Sequence, residues 1–256
     1  MMARPADVLP PAEVCRQNAG VSSADGPSIS ADRLSLPVGA VLMVATGFLD
    51  AYTFLQHGHV FAQAMTGNLV LIAVGAFDPS VVAFWRPLVA YLAFLAGVGV
   101  MWVWSRAEPQ RHVPVPQTAT LAIQVVVLAV VGFVGGGRPS VVIVPVIAFV
   151  AGMQIAAFRD VGPASFTTTV MTTNSMRTVH ALLGALTSQD AEGRVVAGAY
   201  GTALAGFVGG AFLGAFSSTV LGDRAAWVGA ILFALTCGLF VTDRLRGRGS
   251  RTGGGG

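Results

Sequence analysis

Four polar side chains, Thr46, Asp50, Thr53 and His57, recur at spacings of four, three and four inside an otherwise apolar stretch. On a helix that spacing places all four on one face. Asp50 is the only acidic residue well inside any of the long apolar segments. A carboxylate buried in hydrocarbon must take up a proton, find a cationic partner or stay hydrated. The residue types therefore point to a cation or proton site, or to a counter-ion for Arg177. The structural alternative is a hydrogen bond to a neighbouring helix, with Thr46 and Thr53 bonded to their own backbone carbonyls.

A short polar signature also occurs twice. Met65-Thr66-Gly67-Asn68 opens one apolar run and Met171-Thr172-Thr173-Asn174 opens another, 106 positions later. Thr, Gly and Asn suit a lipid-facing surface poorly, because hydrocarbon offers their polar groups no partner. Two copies suggest two halves of one buried site, with Thr66, Asn68, Thr172 and Asn174 among its members. Thr169, Thr173, Arg177 and His180 form a second helical stripe, fit either to line an aqueous vestibule or to lie at the interface with Arg177 reaching lipid headgroups. His57-Gly58-His59 lacks a third ligand within reach, so it reads as a rim loop and not as a metal site. No zinc-hydrolase motif, phosphate-binding glycine loop or second intramembrane aspartate is present, and Ser175 near His180 has no carboxylate to orient the imidazole. Neither an enzyme nor a cofactor is expected.

These residues need elements that can hold them in lipid. Of 256 residues 54% are hydrophobic and 11% charged, against about 25% charged in soluble domains. That balance predicts an all-α polytopic membrane protein. The net charge of +3 comes from arginine alone, scattered along the chain, and gives no nucleic-acid footprint. Cys15 and Cys237 make no disulfide framework. Residues 1–33 read as a disordered cytoplasmic tail without a signal peptide, 34–134 as a first membrane repeat, 135–243 as a second, and 244–256 as a flexible basic and glycine tail.

Apolar segments run over Leu36–Gln56, Val60–Phe77, Val81–Trp104, Thr118–Val134, Val141–Phe158, Phe166–Leu186, Val195–Val220 and Ala226–Val241. The order long, short and polar, long, long occurs twice. A shift of 109 lays Ala93 and Gly97 on Thr202 and Gly206, and Gln154 falls near the position of Asp50 as its uncharged counterpart. If the short segments dip in and return, there are six spans in two inverted halves; if they cross, there are eight in two parallel halves. The C-terminal arginines put that end inside, and an even number of spans puts the N-terminus there too. Six spans leave Arg106, Arg111, Arg159 and Arg194 inside against Arg86, Arg138 and Arg224 outside. Eight spans would bury Arg177 near mid-membrane at a cost of roughly 3 kcal/mol or more. The six-span reading with two broken segments is therefore preferred.

Small residues supply the packing. Gly198, Thr202, Gly206, Gly210 and Gly214 recur every four positions, and Ala226, Ala230, Ala234 and Gly238 do so on the next segment. Such faces let helix backbones approach closely, inside the fold or in a homo-oligomer. Gln124 and Gln154 stand as lone amides in apolar helices.

Gly47-Phe48-Leu49-Asp50-Ala51, followed by Val60-Phe61 and Met65-Thr66-Gly67-Asn68, resembles the YoaK-like family of bacterial integral membrane proteins, a family without assigned function. The resemblance spans roughly residues 36–242 and implies a compact multi-pass protein of the bacterial inner membrane. The second half departs from the pattern, with Thr173 where the first has Gly67. The residues themselves favour a transporter or channel for a small solute or proton. Its site would be built from Asp50, Thr46, Thr53, Thr66, Asn68, Gln154, Thr172, Asn174, Arg177 and His180. The alternative is a non-transporting membrane protein that binds a lipid or a partner through its small-residue faces.

Overall fold

The computed structural model describes residues 35–107, 115–134, 140–158, 175–176, 178–180, 182–184 and 191–252. Seven helices carry the fold among them: α1 Leu36–Gln56, α2 Met65–Gly75, α3 Val81–Ala107, α4 Val115–Val134, α5 Ser140–Ala157, α6 Ala191–Leu221 and α7 Ala226–Thr252. A single 3-10 turn, Gly222–Ala225, joins α6 to α7. Further helical turns lie within 175–184. The last helix continues through Arg244, Arg246, Arg248 and Arg251, where composition led to the expectation of a flexible tail.

Four stretches are long and apolar enough to cross a bilayer by length and composition: Leu36–Gln56, Val81–Ala107, Pro116–Val134 and Ala197–Arg246, the last covering α6 and α7 together. Large apolar side chains such as Phe77, Val103, Phe133, Phe212 and Phe216 face outward, as a lipid-immersed surface requires. The buried core gathers Leu42, Phe48 and Tyr52 of α1 with Leu121 and Leu128 of α4, Ile143 and Ile147 of α5, and Phe233 and Phe240 of α7. Pro37 at the start of α1 fits there because the first helical N–H groups have no partner to lose.

Glycines decide which helices meet. Ala40, Val44 and Phe48 of α1 lie against Gly206, Gly210 and Gly214 of α6 in the same order, so these two helices run parallel. A Cβ on Gly210 would meet the carbonyl of Val44, and one on Gly47 the carbonyl of Phe207. The same reciprocal crossing joins α3 to α5, where Gly97 faces the Phe149 carbonyl and Gly152 faces that of Phe94. No side chain fits between backbones this close, and dispersion between the backbones replaces the water-expulsion term that lipid does not supply. The α6 stripe is only partly spent this way. Gly198 and Thr202 at its start are exposed, as are Ala234 and Gly238 on α7.

Directions follow from contacts at the helix ends. Gln56 Nε2 donates to the Ser218 carbonyl (3.0 Å) and the Tyr52 hydroxyl to the Asp223 carbonyl (3.1 Å), so α1 and α6 stop at one end of the bundle. Trp227 Nε1 donates to the Ala129 carbonyl (3.3 Å) and its ring meets Phe133, so α4 ends where α7 begins. Phe158, just past α5, stacks edge-on against Phe240 (5.5 Å between centroids), far along α7 and at the opposite end. Helices α1, α4 and α6 thus run one way, and α5 and α7 the other.

Candidate functional site

The chain between α1 and α2 turns back into the bundle. Gly58 and His59 both adopt positive φ (82° and 60°), which reverses the chain just past the His57 cap. Glycine is required at 58 twice over: by that φ, and because a Cβ there would lie 2.7 Å from Nη1 of Arg86. Three residues past His57, Val60 is buried, with Ala62 and Gln63 beyond it. The buried backbone N–H groups of this stretch need acceptors. Asp50 Oδ1 supplies one, accepting from Gln63 N (2.7 Å) and Ala64 N (3.3 Å). Asn68 supplies another, accepting from Phe61 N (3.0 Å) on Oδ1, and it also donates from Nδ2 to the Phe61 carbonyl (2.8 Å).

Asp50 lies six residues before the end of α1, about 9 Å at 1.5 Å per residue, so the segment has returned to that depth when α2 begins. From there α2 runs antiparallel to α3. Met65 packs with Ala90 and Phe94, whereas Gly75, ten residues on, presses on Ala83 and Phe84. The polar residues of the first signature thus hold a dipping loop and a half-length helix against the bundle.

At the end of α1 a second network forms. The Tyr52 hydroxyl donates to the Asp223 carbonyl and accepts from His57 Nε2 (2.9 Å), which selects the tautomer protonated on Nε2. Burial lowers the pKa of His57, and the nearby Asp223 carboxylate partly offsets this.

The expected site residues divide as follows. Thr46, Asp50 and Thr53 are all buried, and Asn68 joins them around the loop. The hydroxyls of Thr46 and Thr53 are spent on Leu42 O (2.9 Å) and Leu49 O (3.0 Å) of their own helix. Leu49 on the flank of the stripe is as buried as Asp50, so α1 is a central helix and not one with a single inward face. Thr66 points outward, and His180 is exposed among exposed Met176, Val179 and Leu183; neither joins the group around Asp50. Gln154 is buried in α5, and neither atom of its amide has a hydrogen-bond partner. Thr172, Asn174 and Arg177 lie outside the described residues. Among the described residues no group of three metal-ligating side chains occurs. The residues missed from the sequence are those whose backbone Asp50 and Asn68 hold, Phe61, Gln63 and Ala64. Arg86 is a further one, and only the glycine at 58 hints at its place.

A helical bundle with an apolar exterior, glycine-mediated crossings and a polar-anchored half-helix belongs to the class of multi-pass membrane proteins. Residues 38–239 match the family described as "Protein of unknown function (DUF1275)", and the chain belongs to that family. It is 26% identical over 136 residues to the "UPF0700 transmembrane protein YoaK" of Bacillus subtilis (strain 168), over 52% of this chain and 60% of that protein. The chain thus aligns with little more than half of that relative's length. No solved structure matches.

Proposed function

We propose that the protein moves a small solute across the bacterial inner membrane through a six-span bundle of two inverted halves, each with a re-entrant unit. Helix α2 has 11 residues, about 16 Å at 1.5 Å per residue against roughly 30 Å of hydrocarbon. With α2 returning to the end it came from, α3 alone crosses between α1 and α4. This accounts for α1 and α4 stopping at the same end, which eight alternating spans do not. Leu36 and the end of α7 then share the cytoplasmic side.

The helix pairs support inversion. In sequence order α1 is the first long segment of one half and α6 the second long segment of the other; α5 and α3 stand in the same relation with the halves exchanged. The two pairs cross on glycines in the same reciprocal way, and α4 meets α7, each the last of its half. A twofold axis in the membrane plane would exchange all of these.

The observation that carries the transport reading is the loop tied to Asp50 below the end of α1. Broken backbone at such depth is tolerated only against protein or a water-lined cavity, and transporters place substrate sites beside it. The partner-binding alternative loses much of its surface, because Gly206, Gly210 and Gly214 are covered by α1. The test is flux into proteoliposomes made with the full chain, using protons, Na⁺, urea and glycerol as probes against protein-free vesicles. Permeation of at least one probe above background is expected, and its loss in Asp50→Ala, where the loop N–H groups lose their acceptor. Background permeability to every probe would overturn the reading.

A further inference from the structure

The interior sorts its polar side chains into two groups. Those that hold the fold together are satisfied: Thr46, Thr53, Thr120 and Thr236 bond to carbonyls of their own helices, and Asp50 and Asn68 to the loop. The others have unmet capacity. Nε of Arg86 and Oε1 of Gln117, on partly buried residues, have no hydrogen-bond partner, and the same holds for both amide atoms of Gln63, Gln124 and Gln154 and the hydroxyl of Ser218. The last four residues are at most 2% exposed.

They lie toward both ends of the bundle. Gln63 is next to the Asp50-anchored stretch, and Ser218 is on the last turn of α6 that receives Gln56. Gln124 and Gln154 belong to the opposite half, since α4 starts and α5 finishes at the end away from Trp227. Gln124 shares its face of α4 with buried Thr120, Leu121 and Leu128. Gln154 follows Ile147 and Ala151 along the core side of α5 and precedes Phe158.

A buried carboxamide without a partner is worse for stability than an apolar side chain of similar shape. Three of them in the core of one small membrane protein are a cost that nothing among the described residues offsets. A permeating molecule would offset it. Each carboxamide offers two donors and one acceptor oxygen and carries no charge. The one carboxylate at this depth already accepts from two backbone N–H groups. A cation would therefore meet no free counter-charge among the described residues, at a heavy desolvation penalty. The one buried cationic atom there without a partner, Nε of Arg86, stands beside Gly58 past the end of α1 and away from Gln124 and Gln154.

We infer that Gln63, Gln124 and Gln154 line the solute route, and that the solute is a small uncharged molecule that both donates and accepts hydrogen bonds. This rests on the transport reading above and narrows its substrate class.

Stopped-flow swelling of proteoliposomes with urea and glycerol, beside dye-reported proton and Na⁺ flux, tests it. Neutral-solute permeability should exceed that of empty vesicles and fall by about tenfold in Gln154→Leu or Gln124→Leu, the loss of one good hydrogen bond on the route. The detergent-solubilised variants should melt at or above the wild-type temperature; where leucine prevents accumulation, Gln154→Met takes its place. Flux of protons or Na⁺ without neutral solutes would overturn the neutral-solute inference and leave transport standing. Neutral flux untouched by either glutamine variant would mean that the amides hold structural water only, and would overturn it as well. No flux of any probe would remove the transport reading itself.

Discussion

The two halves of α1 are held by opposite means. Its first half meets α6 through Ala40 and Val44 lying on Gly206 and Gly210, a contact made by missing side chains. Its second half carries Asp50, Tyr52 and His57, each placing a particular polar atom on a partner. In the first region any added atom is harmful, and the chemistry of that atom hardly matters. In the second, volume matters less than whether an acceptor or donor stays in place. Substitutions can test that contrast at each end.

The largest effect is expected at the glycines. A valine at 210 or 97 would drive its side chain into the backbone carbonyl of Val44 or Phe149, and neither backbone can yield without separating the helix pair. Overpacking of this kind costs about 3 kcal/mol or more where the neighbour cannot relax, so both variants should fail to accumulate in membranes. Gly99 and Gly209 have open space where a Cβ would stand, and alanine there should be neutral or stabilising by about 0.5–1 kcal/mol. Immunoblots of membrane fractions and melting in detergent would check both. Equal tolerance at 210 and 209 would break the distinction.

A smaller but selective effect is expected at Asp50 and Asn68. Asp50→Ala strands the N–H groups of Gln63 and Ala64, and Asn68→Leu strands both backbone groups of Phe61. Each buried group left without a partner costs about 1–3 kcal/mol, so each variant, with two such groups, should lose about 2–6 kcal/mol. Asp50→Asn keeps a carbonyl oxygen for the same two donors and should lose less than about 1 kcal/mol. Thermal melting of the purified variants orders them. An alanine variant as stable as the asparagine one would show that Oδ1 does not hold the loop.

The contrast also explains what could be read from the sequence. The four-residue glycine period of α6 and the apolar length of α1 were legible, because period and composition report directly on packing and lipid contact. The break expected at Met65–Asn68 falls instead on residues 57–64, and Met65–Asn68 is the first turn of a continuous helix. That α6 packs on α1 was not, since a smooth face accepts any close backbone. The stripe Thr46–Asp50–Thr53 was visible, but its meaning was hidden. Two of its members are satisfied by their own helix, and Asp50 bonds to backbone N–H groups, which every residue but proline possesses and no letter marks. For the same reason Gln63 drew no notice: its own N–H anchors the loop while its side chain has no partner. The apolar face of 176–183 resembles the first signature segment in hydropathy, yet its exposed Met176, Val179 and Leu183 and exposed His180 set it apart from the buried Asn68.

The smallest effect belongs to His57, where the polar half of α1 meets the α6–α7 turn. Burial depresses its pKa despite the opposing Asp223 carboxylate, so the folded protein holds it neutral, donating from Nε2 to Tyr52. Near pH 6.5 the imidazole of an unfolded chain takes up a proton, which the folded state resists. The unfolded state therefore binds more protons as pH falls, and linkage requires that folding stability decline. The contribution is complete above about pH 6.5 and is lost progressively below it, until the folded form is itself protonated. Glutamine at 57 can donate to the Tyr52 hydroxyl but cannot titrate. His57→Gln should thus cost about 1 kcal/mol or less at pH 7.5 and flatten the fall in melting temperature between pH 7 and pH 5. If the wild type and the variant lose stability in parallel over that range, the acid sensitivity lies elsewhere. The Tyr52–His57 contact would then be a matter of shape, like the glycine crossings at the other end of α1.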